Sequence, residues 1–174
     1  PRLYRGQPAR AALPGGVELT SDLRGEMWRR LESAAAVSGL CAALGAAPRE
    51  AMEREEARSL CLEAAEEAAR VAGPAAPATG ESAGEDGGSP WERAVWRTVK
   101  PPLLREREAG GKSELDCLSG RIVRQARSRG QAVPVHGSML SLAREMESGR
   151  QRPGESGFRE LARRVREEKG MSLS

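Results

Sequence analysis

Apolar residues in 21–46, "SDLRGEMWRRLESAAAVSGLCAALGA", fall at Met27, Trp28, Leu31, Ala35, Leu40 and Leu44. That mostly helical spacing predicts one long amphipathic helix, capped by Ser21 or Asp22. Gly39 interrupts the stripe and costs about 1 kcal/mol relative to alanine unless a neighbour must pack closely there. Residues 48–73, "PREAMEREEARSLCLEAAEEAARVAG", predict a second helix. Pro48 suits its first turn, Leu60, Ala64, Ala68 and Val71 form its stripe, and Gly73 closes it. Its acidic positions read as a solvated face.

Residues 74–90, "PAAPATGESAGEDGGSP", contain no Leu, Ile, Val, Met or aromatic residue and predict a flexible linker. A helix resumes after Ser89-Pro90 with Trp91, Ala94, Val95 and Val99. Pro101 and Pro102 end it or begin the next short one. In "KSELDCLSGRIVRQARSRGQAVPVHG", residues 112–137, Glu114 and Asp116 open a helix whose stripe is Leu115, Leu118, Ile122 and Ala126. Gly130 stops it, and Val133-Pro134-Val135 predicts an extended connection. Met139, Leu142, Ala143 and Met146 mark another helix, and Phe158, Leu161, Ala162 and Val165 a last, basic one. The pattern predicts an all-α, multi-helix bundle. Residues 1–20 form an opening passage of coil, with one short strand around Leu3 and Tyr4. A helical domain covers 21–150 around the linker, and 151–174 is a basic helical tail.

Composition narrows the functions this bundle can serve. Aromatics are 3% of the chain, so Trp28, Trp91, Trp96 and Phe158 are the expected core anchors. A net charge of +3 rests on 28 basic and 25 acidic side chains, with no long basic stripe and no aromatic interleaving. That argues against a nucleic-acid partner. No apolar run approaches the roughly 18 residues of a membrane span. Cys41, Cys61 and Cys117 are widely spaced and distant from His136, a pattern of free thiols in a reducing cytoplasm rather than zinc ligands. The opening "PRLYRGQPARAALPGG" has neither an initiator methionine nor the apolar core of a signal peptide, which predicts a processed or engineered chain or a fragment.

Nucleotide chemistry has no visible cradle. No G-x-G-x-x-G occurs, and "GGKS" at 110–113 would require a glycine where Glu106 stands. His136, beside Gly137 at a helix start, suits a cap or surface role better than general-base duty.

Two stretches, "SDLRGEMWRRLESAAAVSGLCAALG" and "KSELDCLSGRIVRQARSRGQAVPV", resemble the C-terminal helical domain of ketopantoate reductase (2-dehydropantoate 2-reductase) over roughly residues 17–148. The first is similar to that family's opening helix with its Trp-x-Lys-Leu signature. The second is similar to its Lys-Thr-Glu-Ile-Asp, Asn-Gly and Pro-x-Pro-Val pattern. The resemblance implies a Rossmann domain that these residues do not contain, and residues 1–16 then look like the passage out of it. It also implies that Glu114 binds substrate in the interdomain cleft; without the resemblance, Glu114 reads equally well as a first-turn glutamate favoured by the helix dipole. Arg30 holds the position of the family's catalytic lysine. A guanidinium stabilises an oxyanion but is a poor proton donor at neutral pH. Ala34 and Ser38 replace two site asparagines, and Pro102 stands where a substrate-binding serine aligns. Ser38 can still make one substrate hydrogen bond.

The resemblance thus implies the substrate-binding half of an NADPH-dependent enzyme that reduces 2-dehydropantoate, a 2-oxo acid, to pantoate. NADPH is not expected to bind this chain alone; it would come from a separate cofactor-binding domain or chain. The alternative is a non-enzymatic helical module, kept for self-association or left as a truncated relic.

Overall fold

The computed structural model describes residues 22–73 and 114–170, and every regular element among them is helical. Helix α1 spans Leu23–Leu44, α2 Pro48–Met52, α3 Glu55–Ala72, α4 Ser119–Ser128, α5 Pro134–Glu147 and α6 Glu155–Glu168. A single 3₁₀ turn, Glu114–Asp116, precedes α4. The predicted helix carrying Trp91 and Trp96, the linker, the strand near Leu3 and the "GGKS" stretch lie outside the described residues.

α1 is the spine: it touches each of the other five helices and the 3₁₀ turn. Asp22 caps it, its side chain accepting the Gly25 N–H at 2.9 Å. Small residues let the other helices come close. A side chain at Gly39 would collide with Met139 of α5, so the glycine's cost is offset by close helix packing. The larger core cluster joins Leu40 and Leu44 of α1 to Leu60 of α3, Leu115, and Leu142 of α5. Phe158, Leu161, Ala162 and Val165 of α6 lie in that same cluster, so the helix assigned to a tail packs on the bundle. A smaller cluster gathers Trp28, Ala35, Val71, Ile122 and Ala126.

Three local expectations change. The helix predicted over 48–73 is broken: Arg54 is extended (φ −90°, ψ 124°), and Arg54 N–H reaches only back to Ala51 O. The break lets Ala51 and Met52 turn into the core, while the Arg58 guanidinium takes up the Met52 carbonyl at 3.3 Å. Glu114 and Asp116 form a 3₁₀ turn instead of opening a helix, which starts only at Ser119. There the Asp116 carbonyl accepts from Arg124 at 3.1 Å, and Leu118 leaves helical geometry. Finally, α5 begins at Pro134 itself, so the extended link ends at Val133. Gly73 and Gly130 end their helices at positive φ, 59° and 62°, as the sequence pattern requires.

Candidate functional site

The three residues singled out in sequence occupy different surroundings. Arg30 projects from the first half of α1 with its side chain 82% exposed, and its Nε lies 3.4 Å from Glu26 Oε1. Ser38 lies two turns further along α1 and is buried, only 8% exposed. An eight-residue separation places the two about 12 Å apart along the axis. Glu114 is exposed at the start of the 3₁₀ turn, pinned there by the buried Leu115 next to it. That turn abuts α1 and α5. Among the described residues, no hydrogen bond or ion pair joins Arg30, Ser38 and Glu114. Pro102 lies outside those residues.

Glu32, half-buried on α1, has its carboxyl pushed up to about 7 by burial. It sits two residues from Arg30, roughly 200° around the helix, so the two do not share a face.

A second polar cluster was missed in sequence. Glu67, assigned to a solvated acidic face, is only 2% exposed. Its position seven residues after Leu60 puts it on the apolar stripe, and a charge on that stripe was the available signal. Its two oxygens accept the backbone N–H groups of Val135 (2.8 Å) and His136 (3.0 Å). Val133 offers α5 no side-chain cap and Pro134 has no N–H, so α3 caps α5 from outside. Burial pushes the Glu67 carboxyl up to about 7, against the lowering effect of those two N–H groups and of Arg70 and Lys169.

His136 corrects the surface or cap expectation: its side chain is fully buried, three residues before Met139 on the apolar face of α5. Its Nε2 lies 2.9 Å from the Ala64 carbonyl, which can only accept, so Nε2 carries the proton. Nδ1 then accepts from the Ser119 hydroxyl at 3.2 Å. Burial lowers the ring's pKa to about 4, so it is neutral at physiological pH. Every polar atom of this ring is partnered and none meets solvent. The cluster ties α3, α4 and α5 together and leaves no group for a substrate.

The described residues do not fit a dinucleotide. Gly45, Gly73, Gly130, Gly149 and Gly170 take positive φ at helix ends. Gly154, before α6, already gives its N–H to Ala43 O at 2.9 Å. None follows a strand, so none builds the strand–turn–helix cradle that grips a pyrophosphate. No group of three or more His, Cys, Asp or Glu among these residues could hold a metal ion. Burial pushes the Cys41 and Cys61 thiols up to about 12, and Cys117 is exposed. No helix among the described residues is long and apolar enough to cross a membrane.

Comparison with known proteins adds one match. The family described as ketopantoate reductase PanE/ApbA C terminal matches residues 22–147, from the cap of α1 to the last residue of α5. No curated protein and no solved structure gives a match.

Proposed function

The chain belongs to the ketopantoate reductase PanE/ApbA C-terminal family, and from that premise we propose that it is the substrate-binding half of a 2-dehydropantoate 2-reductase-like protein. The reaction is the NADPH-dependent reduction of 2-dehydropantoate to pantoate in the cytoplasm, with NADPH held by a separate domain or chain. In this reading Glu114 accepts a hydrogen bond from the hydroxyl of the 2-oxo acid. Arg30 faces the oxygen on which charge develops, and Ser38 gives one further hydrogen bond. A guanidinium is a poor proton donor at neutral pH and the hydride comes from elsewhere, so alone this chain does not turn over. The observation that carries the reading is the exposed Glu114 carboxylate, rigidly presented beside α1 by a turn whose next residue is locked in the core.

The test is calorimetric titration of the purified chain with 2-dehydropantoate, alongside an NADPH oxidation assay. Saturable binding that is lost in Glu114→Gln, with no NADPH consumption, is the expected result. Turnover by the chain alone would overturn the inactivity, and absence of 2-oxo acid binding would overturn the substrate role. One observation favours the association module instead: Leu23 and Met27, one turn apart on α1, are 66% and 63% exposed. Light scattering of the parent chain and of Leu23→Glu/Met27→Glu separates the two, because only a module held together by this face loses mass on substitution.

A further inference from the structure

Between α4 and α5 lies an open cleft of about 360 Å³, whose lining includes none of Arg30, Ser38 and Glu114. Its size is at the small end of ligand sites. Val123 and Leu140, both nearly buried, form an apolar floor beside Ser141, whose hydroxyl accepts from Arg164 of α6 at 3.3 Å. Three guanidinium groups line it: Arg127 from the end of α4, Arg144 from α5, and Arg150 just beyond α5.

The charge balance of this cleft is one-sided. Among the described residues the guanidinium groups of Arg127 and Arg150 make no hydrogen bond or close ion pair, though Arg150 lies near enough to Glu145 to help hold its carboxyl down. Arg144 gives one nitrogen to Asp116 Oδ1 at 3.1 Å, and Asp116 does not line the cleft. The one carboxylate in the wall, Glu145, is already paired with Arg164 of α6 at 2.8 Å, and that contact holds its carboxyl below the usual range. Arg164 does not line the cleft, and the single carboxylate of Glu145, shared between Arg164 and the nearby Arg150, leaves positive charge in excess among the lining residues.

We propose that this cleft binds a small, doubly charged oxyanion, a phosphate ester or a dicarboxylate with a short carbon skeleton. Arg127, Arg144 and Arg150 grip its charged groups over the floor of Val123 and Leu140. Guanidinium forks match both kinds of oxyanion through paired N–H donors, and the apolar floor suits a short carbon chain. The site shares no residue with the proposed 2-oxo acid contacts, so either reading can fail without the other.

The experiment is a nuclear magnetic resonance titration of the full chain at low salt, following the arginine Nε–Hε signals and the Gly137 and Ser141 amides. Inorganic phosphate is one probe and succinate the other, and the tighter arm identifies the class. The expected result is saturable one-site shifts that weaken with added sodium chloride. Affinity should fall about tenfold in Arg127→Gln and in Arg150→Gln, the loss typical of one charge-assisted hydrogen bond. Circular dichroism checks folding, and should one variant unfold, the other carries the comparison. Arg121→Gln removes the same charge from exposed α4 surface outside the cleft and should leave affinity unchanged. Unsaturable shifts with both probes would overturn the proposal. So would an equal loss in Arg121→Gln, which would mean diffuse attraction, or binding confined to an acidic peptide such as polyglutamate.

Discussion

The junction of α3, α4 and α5 and the two exposed positions Arg30 and Glu114 treat polar side chains in opposite ways. At the junction Glu67, His136 and Ser119 are buried and bonded to one another's helices at 2.8–3.2 Å. Arg30 and Glu114 instead stand in solvent, and among the described residues the Arg30 side chain holds only a long contact to Glu26. Buried polar groups must be fully partnered because an orphan costs about 1–3 kcal/mol. Exposed ones can remain unpartnered at little cost, and that is the condition a ligand needs. In this chain the strongly perturbed Glu67 and His136 therefore mark architecture, while Glu114, the residue proposed to meet substrate, stands exposed.

The largest break in this contrast is Glu67→Ala. It strips the acceptor from two buried N–H groups and should cost about 2–5 kcal/mol in urea unfolding, on the scale of an unmade buried bond for each. Glu67→Gln, which keeps one acceptor, should cost clearly less. His136→Ala should follow at about 2–4 kcal/mol, combining a cavity with the lost partner of Ser119.

A pH series sharpens the comparison further. Folded Glu67 keeps its proton up to about pH 7, whereas its ordinary value is 4.5. Between those values the folded state binds more protons, so this group makes stability fall as pH rises. His136 acts in reverse: its ordinary value is 6.5 and its folded value about 4. Its contribution is present above pH 6.5 and is lost as pH falls toward 4. The two slopes oppose each other between about pH 4.5 and 6.5. Relative to the parent, Glu67→Gln should therefore show stability rising more steeply with pH over that window, and His136→Asn should show it falling. Glu32 has the same sign as Glu67 and is present in both variants, so it cancels in these differences. Denaturant midpoints measured from pH 4 to pH 8 give the result.

The smallest expected effect is on the other side. Glu114→Gln and Arg30→Lys should each shift stability by no more than about 0.5 kcal/mol, as surface substitutions do. Any change in 2-oxo acid binding then reports on contact with the ligand. A loss of several kcal/mol at either position would erase the distinction between the two regions.

Periodicity and stop residues determined most of the helical architecture. The stripes through Leu31, Leu60, Ile122, Leu142 and Phe158, and the stops at Gly73 and Gly130, are local properties of spacing and backbone freedom, so they are legible in a single chain. The resemblance marked Arg30, Ser38 and Glu114, but spacing along a chain cannot say whether three side chains reach one point. Only the tertiary structure decided that Glu67 caps α5, that His136 is buried, and that the Asp116 carbonyl turns to Arg124 instead of continuing a helix. The reason is physical: a helix's face is set by neighbours three and four residues away. A buried N–H or carbonyl takes whichever partner folding brings within 3 Å, and for the end of α5 that partner lies 68 residues back along the chain.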